Sequence, residues 1–173
     1  MWIDVKIPYE PGRKLAYAYN RAMETSKAKW VLLLDHDVFL CNPYWYDICL
    51  RAIEKLNDTD AGLIVCMTSG PRQKFLQRVS LVQPSSIEES IILAKTIYDQ
   101  YGAKLKPVTT TVTGFFMLVK RQVWEKVMFV KQRRGVGRVD IDFSKRLLER
   151  GFTIWLMMGL YVYHRRGMRK LKW

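Results

Sequence analysis

Asp35, His36 and Asp37 form the densest group of chemically capable side chains in the sequence. Two carboxylates with an imidazole between them offer hard oxygen ligands and a nitrogen to a divalent cation such as Mg2+ or Mn2+. A cation held by acids commonly serves phosphate chemistry, because the acids alone repel a phosphate. The bland alternative is that both acids end a strand in a polar turn. A second acidic pair, Asp140 and Asp142, follows the glycine-rich stretch Arg134-Gly135-Val136-Gly137. Acids at a helix start are favoured by the helix dipole; one of them, facing a cleft, could equally act as a general base. His164 closes the apolar run Leu160-Tyr161-Val162-Tyr163 and precedes Arg165-Arg166. It is either a structural histidine or a further metal ligand. Gly114, just ahead of Phe115-Phe116-Met117-Leu118, marks either a bend or a close approach of backbone to a ligand.

These residues need elements to hold them. Trp30-Val31-Leu32-Leu33-Leu34 is short, bounded and apolar, which predicts a buried strand running straight into Asp35. In open α/β sheets the carboxyl ends of strands are where ligands bind. Leu15, Ala16, Tyr19, Ala22 and Met23 recur at helical spacing, so residues 13–26 are expected to be a helix, after a short strand stopped by Pro8. Asn42-Pro43 reads as the N-cap and first position of a helix to about residue 56. Residues 61–67 read as a second buried strand, and 68–84 as an irregular, basic connection. Ser86-Ile87-Glu88-Glu89 is a capping box opening a helix to about residue 101. The β-branched run 109–112 and the apolar run 115–119 suggest an antiparallel element. Short helices over 122–128 and 141–150 follow, the latter stopped by Gly151. Residues 152–157 and 160–163 read as two further strands. Strands alternating with helices predict an α/β sandwich on a mostly parallel sheet.

Composition narrows the function. A chain of 173 residues, 49% apolar, is expected to fold as one domain with a real core and excludes disorder. No apolar run is long enough to span a bilayer, and Asp4, Lys6 and Glu10 stand where a signal peptide needs an apolar stretch. Cys41, Cys49 and Cys66 are odd in number and lack metal spacing, which suits reduced thiols and a cytoplasmic location. The sequon Asn57-Asp58-Thr59 is then idle. A net charge of +13, from 29 basic and 16 acidic residues, points to a polyanionic partner: nucleic acid, anionic lipid or a phosphate-bearing substrate. The densest basic runs are Lys131-Gln132-Arg133-Arg134 and a tail from about residue 165 that mixes Met168, Leu171 and Trp173 with cations. Such a tail suits the surface of an anionic membrane as well as a nucleic-acid contact.

In this order the motifs resemble those of the GT-A glycosyltransferases, and especially of family 2. The helix Tyr19-Asn20-Arg21-Ala22-Met23 and the strand ending Asp35-His36-Asp37 resemble that family's metal strand. Val112-Thr113-Gly114-Phe115-Phe116-Met117-Leu118, with Val123-Trp124 after it, is similar to its glycine loop. Val139-Asp140-Ile141-Asp142 resembles the segment where the family keeps Glu-Asp, with Val139 in the place of Glu. His164 matches the C-terminal histidine. Only 34 residues precede Asp35, so the resemblance is to an N-terminally shortened member.

The resemblance implies a single GT-A-like domain over residues 1–173 and transfer of a sugar from a nucleotide-diphosphate donor to an acceptor hydroxyl. The acceptor would be a glycan, a lipid-linked molecule or a protein. Asp35, Asp37 and His164 would hold Mn2+ or Mg2+, with Asp37 the more direct carboxylate ligand. Pro8, Tyr9, Asn20, Asp35, His36 and Arg165 would contact the donor nucleotide. Thr113, Gly114 and Phe115 would line the donor sugar and acceptor. Asp140 would take the acceptor proton in an inverting displacement, a role that Asp142 could share or replace. Two other classes compete: a metal-dependent nuclease, supported by the charge and the carboxylates, and a basic nucleic-acid-binding module in which the acids only cap elements.

Overall fold

The computed structural model describes residues 2–12, 14–70, 75–80, 83–130 and 138–165. In chain order, β1 (Ile3–Lys6), α1 (Leu15–Thr25), β2 (Trp30–Leu34) and β3 (Val38–Phe39) come first. They are followed by α2 (Trp45–Leu56), β4 (Ala61–Met67), one 3-10 turn (Phe75–Gln77), α3 (Ile87–Tyr101) and β5 (Leu105–Val108). The chain then forms β6 (Phe116–Lys120), α4 (Arg121–Val127), α5 (Val139–Glu149), β7 (Thr153–Tyr161) and β8 (Tyr163–His164). The basic run 131–134, the glycines at 135 and 137, and the tail beyond Arg165 lie outside the described residues.

Six strands make one sheet in the order β1-β2-β6-β4-β7-β5, and β3 pairs with β8 in a separate ribbon. β1 runs parallel to β2, and β4 parallel to β7. β6 lies antiparallel between β2 and β4, and β5 is an antiparallel edge beside β7. Four strands therefore share one direction, and the expected antiparallel element includes a central strand, β6. All five residues of β2 and all five of β6 are buried. Helices cover both faces of the sheet, so these strands have no polar side to show, and the apolar runs read as continuous rather than alternating.

The pleat sorts each strand between two cores. Val31 and Leu33 of β2 point into a layer with Ala16, Tyr19 and Met23 of α1, Trp124 of α4 and Phe143 of α5. Trp30, Leu32 and Leu34 point the other way, onto Ile48, Cys49, Ala52 and Ile53 of α2. α3 joins that second side, packing Ala94 and Ile97 on Tyr161 of β7. The result is an α/β architecture of three layers.

Local signals explain several boundaries and move others. Ser86 Oγ accepts from Glu89 N–H, and the Glu89 carboxylate accepts from Ser85 N–H, one residue earlier than in a standard capping box. Gly151 takes φ +80°, the left-handed position that ends α5. Asn42 does not cap α2. Its side-chain oxygen accepts from Tyr44 N–H at 2.9 Å, which makes a turn, and the helix starts at Trp45. The β-branched run 109–112 is not a strand; the edge strand is β5, immediately before it. The two strands expected over 152–163 are a single strand, β7, followed by the short β8.

Candidate functional site

β1, β2, β4 and β7 all end at one edge of the sheet, and β6 begins there. Asp35 leaves β2 at this edge, and its N–H donates to Phe115 O at 3.0 Å, the first contact past the β2–β6 ladder. The chain then turns, with Val38 N–H donating to Asp35 O at 3.3 Å. The turn lets β3 pair antiparallel with β8, in a register that sets Val38 opposite His164. Arg165 N–H closes the pairing on Asp37 O at 2.9 Å. Two-residue strands leave little trace in a sequence, yet this ribbon is what carries His164 back over the acids.

The imidazole of His164 is buried, with Nε2 at 3.6 Å from Asp35 Oδ2 and 3.2 Å from Asp37 Oδ1. One ligand atom from each of Asp35, Asp37 and His164 lies within 4.8 Å of the others. Two carboxylate oxygens and one imidazole nitrogen at this spacing could hold a metal ion. Phe115 stacks on His164, with centroids 5.3 Å apart and planes inclined by 29°. The same residue thus holds Asp35 through its carbonyl and the imidazole through its ring. Gln83 Nε2 donates to His164 O at 2.8 Å and fixes the backbone behind the ring.

Next to Phe115, Gly114 N–H donates to Asp140 Oδ2 at 2.7 Å. Gly114 is needed for closeness rather than for an unusual φ. A Cβ placed there would lie 2.6 Å from Asp140 Cβ. Thr113, one residue earlier, is gripped by the amide of Gln77. Gln77 Oε1 accepts from Thr113 N–H at 2.8 Å and lies 2.9 Å from Thr113 Oγ1, while Gln77 Nε2 donates to Thr113 O at 3.2 Å.

The remaining sequence candidates fall at varied distances from this group. Pro8 and Tyr9 follow β1 at the same sheet edge, and Tyr9 is 83% exposed. His36 and Arg165 are also exposed. Asn20 is committed elsewhere: its oxygen accepts from Trp124 Nε1 and Phe129 N–H, each at 2.9 Å, and its amide donates to Phe129 O. It ties α1 to the end of α4. Asp142 pairs with Arg146 at 2.7 Å, and Arg146 in turn donates to the carbonyls of Val127 and Met128 that end α4. The two members of the second acidic pair therefore have separate partners, and Asp140 is the one against the glycine turn.

Cys41, Cys49 and Cys66 are free and buried, and burial raises all three thiols above their ordinary range, so they stay neutral. Gln77 and Gln83 escape a sequence reading altogether. They lie in an irregular polar segment, and only the folded chain shows that Gln77 is fully buried.

No protein-family model matches the sequence, and no curated protein matches it.

Proposed function

We propose that this chain is a metal-dependent glycosyltransferase of the GT-A type, moving a sugar from a nucleotide-diphosphate donor to an acceptor hydroxyl. One observation carries the reading: an unbroken line of contacts from Asp37 through His164, Phe115 and Gly114 to Asp140. It joins a set of cation ligands to a carboxylate held at a glycine turn, which are the two parts such a transfer requires.

Asp35, Asp37 and His164 would hold Mn2+ or Mg2+, whose charge would offset the negative charge gathering on the departing diphosphate. Asp140 takes the acceptor proton as the acceptor oxygen bonds to the sugar carbon on the face opposite the breaking bond to the diphosphate, which gives inversion. Gly114 N–H orients its Oδ2 and leaves the other carboxylate oxygen for the acceptor. Gly114 and Phe115 are buried and support the site from beneath rather than lining it, Gly114 setting Asp140 and Phe115 backing His164. Tyr9, exposed at the same edge, supplies a face for the nucleotide, and Arg165 adds a cation beside the phosphates. Three free thiols suit a cytoplasmic setting. A net charge of +13 favours an anionic membrane surface or a polyanionic, lipid-linked acceptor. Among the described residues no helix is long and apolar enough to cross a membrane.

The test is a screen of UDP-, GDP- and TDP-sugars for thermal stabilisation that requires Mn2+, since a ligand bound to the folded state raises stability by linkage. Stabilisation by one class of donor, followed by its Mn2+-dependent turnover, is the expected result. Metal-dependent cleavage of DNA with no response to any sugar nucleotide would replace the reading with a nuclease.

A further inference from the structure

Gln77 and Gln83 lie in the segment between β4 and α3 and reach opposite ends of the line of contacts. Gln77 ends the 3-10 turn, which is fastened to the end of β4: Thr68 N–H donates to Gln77 O and Val79 N–H to Thr68 O, both at 2.8 Å. From there its buried amide makes three contacts to Thr113, immediately before the glycine that holds Asp140. Gln83 reaches His164 O at 2.8 Å and Ser69 O at 3.5 Å. Gly70, at φ +110°, leaves room for it; a Cβ there would sit 3.2 Å from Gln83 Nε2.

Burying an amide costs free energy unless its polar atoms are bonded, and an apolar side chain of the same size would fill the space at less risk. What the amide adds is a specified backbone conformation. Gln77 fixes Thr113 through both its N–H and its C=O, which sets the plane of the next peptide and so the direction of Gly114 N–H. Gln83 fixes the carbonyl of the residue whose imidazole meets the acids.

We propose that Gln77 and Gln83 are the positioning residues of the site, with Gln77 setting the side that presents Asp140 and Gln83 setting the side that presents His164. The proposal rests on the glycosyl-transfer reading for the meaning of the two sides, and its first two readouts do not depend on turnover.

The experiment compares wild type with Gln77→Met, Gln83→Met and the milder Thr113→Val. It measures Mn2+ affinity from the paramagnetic resonance of free Mn2+, hydrogen exchange at the Gly114 amide, and kcat and KM for the sugar nucleotide. Gln83→Met is expected to weaken Mn2+ about 10-fold or more, as loss of a group behind a metal ligand does, with Gly114 exchange unchanged. Gln77→Met is expected to keep Mn2+ affinity within about twofold while Gly114 exchanges about tenfold faster and kcat falls about tenfold or more at constant KM. Thr113→Val, which removes one of the three contacts, should move exchange and kcat the same way by less. Equal effects of both glutamine variants on both sides of the site would overturn the proposal, as would no effect of either. Wild type that binds Mn2+ but turns over no sugar nucleotide sinks the transfer reading, and the binding and exchange results then decide the proposal alone. Wild type that binds no Mn2+ overturns both.

Discussion

Of the three places where the chain has the spacing Asp-x-Asp, the two at Asp35/Asp37 and Asp140/Asp142 have opposite outcomes. After β2 the backbone turns, and Asp35 and Asp37 both face one nitrogen of His164, at 3.6 and 3.2 Å. In α5 the same spacing lies on a helix, where two residues subtend about 200° around the axis. Asp140 therefore points to Gly114, and Asp142 runs along its own helix to Arg146, four residues on. Spacing in sequence does not bring two acids together; the period of the backbone beneath it does. A turn at a sheet edge gathers two acids, and a helix start separates them into one that faces the site and one that holds the fold.

The sharpest way to break this comparison is at the gathered pair. Asp37→Ala is expected to lower Mn2+-dependent turnover of a sugar nucleotide by more than about 10³-fold, because a metal site contributes several kcal/mol to charge stabilisation in the transition state. Initial rates across a Mn2+ titration check this. Rates like those of wild type at low Mn2+ would remove Asp37 from the metal site. Next in size is Asp140→Asn, expected to cut kcat by about 10² to 10³-fold while donor and Mn2+ affinities hold, since it removes the proposed general base and keeps the side chain's shape. A loss of donor affinity instead of kcat would mean that Asp140 binds rather than reacts.

Much of the gathered pair was legible in the sequence, because the apolar run Trp30–Leu34 has only one sensible reading and the acids must follow it. The candidate base was legible as a pair but not as a residue, since a first-turn acid has a structural use whether or not it has a chemical one. What stayed hidden depends on contacts between distant segments. Val38 meets His164 across two-residue strands, Gln77 meets Thr113, and β6 inserts between β2 and β4. None of these pairings changes local periodicity, so no pattern of spacing reports them. Asn20 misleads for the same reason. A polar residue on a helix near the site looks available, and only the fold shows that its amide is occupied by the end of α4.

Smaller effects sharpen the contrast within the second pair. Gly114→Ala would place a methyl group 2.6 Å from Asp140 Cβ, an atom too close to the backbone to swing aside. Either the turn or the start of α5 must shift. Turnover is expected to fall about 10- to 100-fold from misplacement of the base, and unfolding free energy by about 1–3 kcal/mol from overpacking. Mn2+ affinity, which depends on the gathered pair, should stay near that of wild type.

The smallest effect is expected at the other acid of that helix. Asp142→Asn removes the charged partner of Arg146 but leaves the hydrogen bonds from Arg146 to Val127 O and Met128 O, and the apolar core that α4 and α5 share through Val123, Val127, Phe143 and Leu147. Both side chains of the ion pair are only partly exposed, so its loss should cost about 0.5–1 kcal/mol of stability in urea denaturation. Turnover should stay within about threefold of wild type, because a change of that size in stability leaves the folded population almost untouched. A collapse of kcat in Asp142→Asn, with Asp140→Asn active, would exchange the two roles. It would also mean that α5 turns at its start when substrate binds, since the helical period otherwise keeps Asp142 on the side of Arg146.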